Sequence, residues 1–184
     1  MLAPGSPLMY TPPPADTPRE DAIGKLADEI EGIPVAMMTT VGEDGELHSR
    51  PMQVTRARFD GHLWFFTAAG SGKAEELVND PHVNICFADP ARQRFVSIAG
   101  HAHVEQNAEQ AAALWASEFR AWFPEGLDDP QLALVKVTPV SAQYWDGSAS
   151  RFVRILGRLG LKPKVRPGQA IDNRRVNLRE PRAL

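Results

Sequence analysis

The chain has 184 residues, a formal net charge of −3 and 43% hydrophobic residues, a composition that predicts one globular domain with its own core. No stretch approaches the roughly 20 consecutive apolar residues that cross a bilayer, and the single cysteine, Cys86, excludes an internal disulfide. The N-terminal residues also lack the basic and apolar regions of a secretory signal. Together these features predict a cytoplasmic protein with no membrane partner.

Charge is distributed unevenly along the chain. Residues 151–184 hold 10 Lys/Arg and 2 Asp/Glu, a net charge of +8, whereas residues 1–150 carry a net charge of −11. Such a tail can bind a polyanion, or it can fold back on its own acidic body or on a partner subunit. Because the tail has no recognisable nucleic-acid-binding motif and almost no aromatic residues, nucleic acid is not the expected partner.

Turn residues and hydrophobic periodicity predict the elements in chain order. Residues 1–18 contain six prolines and are expected to form an extended arm. A helix follows, with Asp16 or Thr17 as its candidate N-cap, and ends at Gly32 and Pro34. Strands are then predicted at 35–41, 47–59, 62–68, 82–89, 94–107 and 131–147, and further helices at 73–81 and 108–122.

This order of elements predicts a mainly β fold with packed helices, a small closed or partly closed β-barrel. Segment 35–41 is predicted to be a buried strand, and Pro51 predicts an edge or a bulge in the next strand. In the helix at 108–122, a core-facing stripe is expected from residues at helical spacing: Ala112, Trp115, Phe119 and Trp122. The last 24 or so residues show little periodicity and are expected to be partly ordered at best.

The segment FFTAAGSGKAEEL (65–77) places a serine, a glycine and a lysine between a strand and a helix. Unpaired N–H groups at a helix start attract phosphate. Gly72 permits close approach of the backbone, Ser71 offers a hydroxyl and Lys73 adds a charge. Lys73 precedes Ala74 rather than Ser or Thr, so the segment is not a Walker loop. An N-capping serine followed by a solvated lysine explains the same residues without a ligand.

Two further segments carry candidate ligand-binding residues. In SRPM (49–52), strand alternation places Arg50 and Met52 on one face and Ser49 on the other. An arginine there suits bidentate phosphate binding, or it is a surface cation. In QYWDG (143–147), Trp145 leaves a strand beside an acidic residue and a turn.

The three segments, in this order and at this spacing, resemble the FMN-binding split-barrel proteins related to pyridoxamine 5′-phosphate oxidase, and most closely their general stress protein subgroup. The resemblance covers roughly residues 20–155. It implies a homodimer of six-stranded Greek-key split barrels, with FMN at the subunit interface. The FMN-binding domain then spans residues 19–157, between a Pro-rich arm at 1–18 and a basic tail at 158–184.

The resemblance also implies roles for individual residues. Arg50 and Lys73 would hold the FMN phosphate, and Ser71 and the backbone around Gly72 would assist them. Trp145 would reach the flavin of the partner subunit. The remaining residues of the implied site lie along the isoalloxazine ring or the ribityl chain: Ser49, Pro51, Met52, Gln53, Val54, Phe66 and Thr67. Neither a catalytic residue nor a metal ligand is assigned.

Several positions differ from the oxidase and argue against oxidation of pyridoxamine 5′-phosphate. Thr55 stands where a lysine would bind the substrate phosphate, Phe95 replaces a flavin-contacting glutamine, and Val153 replaces the histidine of an arginine–x–histidine signature that begins at Arg151. Three interpretations stay open: an FMN-dependent oxidoreductase of unknown substrate with NADH or NADPH as candidate donor, an FMN-holding protein without significant turnover, and a barrel dimer that acts through its basic tail.

Two other features are interpreted as structural. His101 and His103 have a spacing that suits a metal, but no third ligand is evident, so a polar strand face is preferred. Cys86 lies between apolar residues and is expected to be a buried, inert thiol because no basic group is placed to lower its pKa.

Overall fold

The computed structural model of the chain describes residues 19–146 and 172–178. In these segments, none of the helices combines the length and apolar character needed to span a bilayer. The described elements are α1 (Arg19–Ile30), β1 (Val35–Val41), β2 (Leu47–Gln53), β3 (Leu63–Ala68), α2 (Gly72–Asn79), β4 (His82–Asp89), β5 (Arg94–Glu105), α3 (Ala108–Leu114), β6 (Leu132–Asp146) and β7 (Asp172–Asn177), with short 3₁₀ helices at Ser117–Ala121 and Gly126–Asp128.

The strands form one curled antiparallel sheet in the order β2-β1-β4-β5-β6-β3. Its terminal strands, β2 and β3, do not hydrogen-bond to each other, so the barrel stays open along one side. The first half of β6 pairs with β3 and its second half pairs with β7. The predicted six-stranded split barrel is confirmed, and β7 extends it.

The first two strands differ from the sequence prediction, β1 in its burial and β2 in its length. β1 alternates between buried and exposed residues, so it is half-buried rather than buried. β2 ends at Gln53: the N–H of Val54 still bonds in register to the Pro34 carbonyl at 2.9 Å, but Pro34 has no N–H with which to continue the ladder. Pro51 lies on an edge strand, as predicted, since β2 pairs only with β1 among the described strands.

Two hydrophobic clusters cover the two faces of β3 and the first half of β6. The main cluster lies inside the curled sheet, beneath α1 and α2, and contains Leu26, Phe65 and Leu77. The second cluster lies on the opposite face, where Phe66 stacks against Phe119 with ring centroids 4.4 Å apart. Alternation along β3 therefore directs neighbouring aromatic residues into different cores.

The predicted single helix at 108–122 is wrong. α3 ends at Leu114, the next residues, Trp115 and Ala116, are extended, and a 3₁₀ helix follows. Trp122, which the helical spacing placed in the core, is 62% exposed. The break turns the segment so that Phe119 packs on Phe66, and this tertiary packing overrides the helical pattern.

A strand near the C-terminus was not predicted. β7 pairs along the part of β6 that extends beyond β3, where an edge would otherwise be unpaired. Leu178, just after β7, is buried in the main cluster. The basic tail thus contributes to the sheet. The N-terminal arm, the candidate caps Asp16 and Thr17, and the signature at 151–155 lie outside the described residues.

Candidate anion-binding site between β2 and α2

Helix α2 is fixed so that one of its faces meets the β1–β2 hairpin. Ala74 and Leu77 are buried and anchor α2 to the sheet. Asn79 Nδ2 donates to Glu43 Oε1 of the hairpin at 3.1 Å. Residues 73 and 76 are three apart and lie side by side on the helix. This arrangement places the hinge serine, the lysine and a carboxylate beside the edge strand β2.

Arg50 reaches from β2 to this helix. Its Nη2 donates to Glu76 Oε2 at 2.7 Å, and its Nη1 donates to the hydroxyl of Thr40. His48, on the same face of β2, bonds through Nδ1 to Glu76 Oε1 at 2.7 Å. Glu76 also accepts from Thr40. Glu76, His48 and Thr40 were not among the residues predicted from the sequence; strand alternation could have placed His48 on the face of Arg50, whereas no local signal marks the other two.

Lys73 lies beside this cluster. Burial, followed by the nearby charge of Arg50, lowers the pKa of Lys73, while Glu76 acts to raise it. Lys73 precedes Glu76 by about one turn of α2, and Glu76 is the carboxylate that Arg50 bonds, so both cations lie near the same carboxylate. Within the described residues, the Lys73 ammonium makes no ion pair, so it keeps its capacity to bind an anion.

Hydrogen bonds set the charges of the cluster. Burial acts to raise the pKa of Glu76, but bonds from His48, Thr40 and Arg50 lower it to about 2, so the carboxylate is ionised at neutral pH. The bond to Glu76 is the main cause that raises the pKa of His48 above its ordinary value. Arg50, Lys73 and Glu76 together carry one net positive charge, and protonation of His48 makes two.

The hinge before α2 leaves hydrogen-bonding groups available. Ser71 makes no side-chain cap to the helix; its hydroxyl lies 3.1 Å from that of Thr67. A Cβ built on Gly72 would meet no atom within 4 Å, so the space next to the helix start is open. Hydroxyls, helix N–H groups and a lysine form a donor set that fits a phosphate group.

The other residues of the implied site fall into different environments. Met52 is buried in the main cluster, and Phe66 is buried in the second cluster on the opposite face of the sheet. Ser49 faces the outside, where its hydroxyl lies 2.7 Å from that of Thr39. Trp145 of β6 pairs with Phe95 of β5. Within one chain, three strands separate β6 from β2.

A cleft of about 480 Å³ opens at the end of β2. Gln53, Val54 and Thr55 form one wall, and the buried side chains of Phe65 and Leu114 are among those that line it. Two surface ion pairs stand at its rim: Arg56 with Glu118 at 2.8 Å and Arg58 with Asp28 at 3.0 Å. The cleft adjoins the strand that was expected to line the isoalloxazine ring.

The histidines and the cysteine have specific local partners. His101 packs edge-on against His82 with ring centroids 4.8 Å apart, whereas His103 bonds to Glu105 at 2.9 Å. Asp44, Glu46 and His48 bring potential metal-ligating atoms within 4.8 Å of one another, and all three are exposed. Cys86 is partly exposed on the outer face of β4, beside Met37, which corrects the prediction of a buried thiol.

Comparison with known proteins decides the family. Residues 21–165 match the family model described as "Pyridoxamine 5'-phosphate oxidase like". The chain belongs to this family. Over 126 residues it is 30% identical to General stress protein 26 of Bacillus subtilis (strain 168), a match that spans 66% of this chain and 86% of that protein. The predicted resemblance to the general stress subgroup of the pyridoxamine 5′-phosphate oxidase-like proteins is therefore confirmed.

Solved structures of this family share the fold. The general stress FMN/FAD binding protein of Xanthomonas citri is 28% identical, with a TM-score of 0.59, over 67% of this chain and 87% of that one. A putative general stress protein 26 from Jannaschia sp. CCS1 superposes with a TM-score of 0.66 at 21% identity, over 85% of this chain and 98% of that one. These neighbours establish the split barrel for this chain.

Proposed function

We propose that this protein binds FMN and holds the phosphate group between Arg50 of β2 and Lys73 of α2. The observation that carries the proposal is the bond from Arg50 to Glu76 of α2, one helical turn after Lys73 and next to an open helix start. The Xanthomonas citri relative is described as an FMN/FAD binding protein, which supports a flavin as the ligand. Family membership supports it further.

Different residues of the chain would contact the phosphate and the ring of the flavin. The guanidinium of Arg50 gives one Nη2 donor to Glu76 and one Nη1 donor to Thr40, and since it has five N–H donors, three are left for a phosphate. Lys73 adds a full charge, and Ser71 and Thr67 add hydroxyls. The free edge of β2 offers unpaired backbone groups to a planar ring. A bound flavin would supply hydride and electron transfer.

The decisive test compares bound flavin in purified variants. Arg50→Ala/Lys73→Ala should lose most of the bound FMN, measured by visible absorbance and by the mass of the released cofactor, while its circular dichroism spectrum stays that of the wild type. Arg92→Ala is the matched control, because Arg92 forms an exposed ion pair with Asp89 away from α2. Equal flavin occupancy in all three proteins would contradict the proposal.

The proposal includes a homodimer, with a second copy of the chain covering the outer face of the sheet. Val35, Met37 and Phe95 are 48%, 41% and 40% exposed on this face, and the strand pairings place Pro51 beside Met37 and Trp145 beside Phe95. A two-fold interface would use the same apolar patch on both copies. It would also bring Trp145 of one copy towards β2 of the other, which one chain alone does not do.

Dimerisation is tested by placing a charge on this patch. Met37→Lys should give a monomer by analytical ultracentrifugation and should bind FMN more weakly than the wild type does. Val78→Lys is the control, since Val78 is 82% exposed on α2, away from the sheet face. A Met37→Lys protein that is still dimeric would place the interface elsewhere.

A second candidate function, flavin-dependent oxidoreduction, is favoured by the cleft at the end of β2. A substrate in this cleft would lie against Gln53 and Val54, and therefore against the flavin ring. Thr55, which takes the place of the lysine that the resemblance assigns to a substrate phosphate, lines the cleft, so pyridoxamine 5′-phosphate is not the expected substrate. The test compares how fast NADH or NADPH reduces the bound flavin and free FMN without oxygen. Equal rates would favour a flavin-holding protein without turnover instead.

A further inference from the structure

Glu76 lies at the centre of a hydrogen-bonded cluster. A phosphate site does not by itself need such a carboxylate. Its two carboxylate oxygens are shared among Arg50, His48 and Thr40, so an anion already lies against the arginine that would bind phosphate. The Glu76 side chain is only 15% exposed. A carboxylate in this position orients Arg50 and cancels one of the two fixed positive charges.

The charge balance makes His48 the variable member of the cluster. Arg50, Lys73 and Glu76 sum to one positive charge, whereas a phosphate monoester carries between about −1.5 and −2 at neutral pH. Protonated His48 would supply the second positive charge. The Nδ1 atom of His48 is bonded to the ionised Glu76. Because an ionised carboxylate only accepts hydrogen bonds, the neutral ring carries its proton on Nδ1. An added proton therefore comes from solvent to Nε2.

The surroundings of His48 favour that proton. Glu76 faces the imidazole from α2, and Asp44 and Glu46 face it from the hairpin; Arg50, on the same strand, opposes the proton. The ring is 46% exposed, so solvent reaches it. A Cβ on Gly42 would lie 2.8 Å from the His48 Cε1 atom, which shows that the backbone of the hairpin holds the ring closely.

We propose that Glu76 and His48 make the site between Arg50 and Lys73 selective for a phosphate monoester, with His48 taking up one proton as the doubly charged anion binds. Glu76 is a positioning residue, because it acts through Arg50 and His48. This inference rests on the proposed flavin function and deepens it. It selects FMN over FAD, because each phosphate of FAD has one ester bond and one anhydride bond and therefore a single charge, and over riboflavin, which has no phosphate.

The test measures the affinity of the full-length apoprotein for FMN, FAD and riboflavin, by quenching of flavin fluorescence, from about pH 6.5 to 9. Below that range, near pH 6, the phosphate itself gains a proton. Uptake of one proton should tighten FMN binding by up to about tenfold per unit of falling pH. The slope should be much smaller for FAD and absent for riboflavin. Equal slopes for FMN and FAD would overturn the proposal.

Variants identify the group that takes the proton. His48→Gln and Glu76→Gln should both lose the pH dependence of FMN binding and narrow the preference for FMN over FAD. His103→Gln is the matched control, because His103 is also an exposed imidazole bonded to a carboxylate, that of Glu105, and its variant should keep the wild-type slope. A His48→Gln protein with the wild-type slope would refute the role of His48.

An experiment without flavin separates this inference from the proposed function. The pKa of His48, followed by NMR, should rise when inorganic phosphate is added to the wild type and should not rise in Arg50→Ala/Lys73→Ala. If no flavin binds but phosphate raises the His48 pKa, the flavin function fails and the inference about the phosphate site holds. If phosphate leaves the His48 pKa unchanged, the inference fails even where FMN binds.

Discussion

Gly100 lies at the point where β6 gains one residue relative to β5. Ala99 pairs with Ser141, whereas Gly100 pairs with Pro139, so Val140 has no partner on β5. A Cβ on Gly100 would lie 2.5 Å from the Thr138 carbonyl oxygen and 3.1 Å from the Pro139 Cα. Both are backbone atoms and cannot rotate away. Gly100→Ala must therefore push β5 and β6 apart, and we expect it to lower the free energy of unfolding by about 1–3 kcal/mol.

Gly24→Ala provides a matched control for this substitution. Gly24 lies within α1, and a Cβ there would meet nothing within 4 Å, so alanine should raise the free energy of unfolding by about 0.5–1 kcal/mol through helix propensity. Urea unfolding followed by circular dichroism measures both variants. The two glycine-to-alanine changes should move the midpoint in opposite directions. A Gly100→Ala protein as stable as the wild type would refute the close approach of the strands.

Three other outcomes are expected. Leu178→Ala should cost about 2–4 kcal/mol of unfolding free energy, because Leu178 is in the main core; an unchanged urea midpoint would contradict the docking of β7. Phe119→Ala should cost about 3–5 kcal/mol, whereas Trp122→Ala, at an exposed site, should cost less than about 1 kcal/mol; similar losses would favour a continuous helix. The lowered pKa of Glu76, about 2 against 4.5, stabilises the protein above pH 4.5. That stability, on the order of 3 kcal/mol, is lost as the pH falls towards 2, and acid titration of Glu76→Gln should lack this component.

Local sequence patterns predicted the elements whose structure depends mainly on their own residues. Alternation along β2 placed Arg50 and Met52 on the same face, and the structure has them there, with Met52 in the main core. The strand predicted at 62–68 corresponds to β3, and the helix predicted after the hinge at Ser71 corresponds to α2. In each case the turn chemistry and the hydrophobic period agree with the tertiary fold.

Long-range contacts could not be predicted from these patterns. Glu76 is 26 residues from Arg50, and no local signal distinguishes it from the adjacent Glu75. β7 forms because β6 extends beyond β3 and offers a free edge, a property of a strand about 30 residues away in the sequence. The break after Leu114 depends on Phe66, which attracts Phe119 into a core that the helical pattern alone does not show.

The site and the opening of the barrel have one structural origin. β2 and β3 end the strand order without pairing, and α2, which continues from β3, reaches β2 through the ion pair of Arg50 with Glu76. In a closed barrel, the β2 edge would be paired to β3 and unavailable to a ligand. Under the proposed function, the opening of the barrel leaves the β2 edge, with Arg50 and Glu76 beside it, free to receive the phosphate of the flavin.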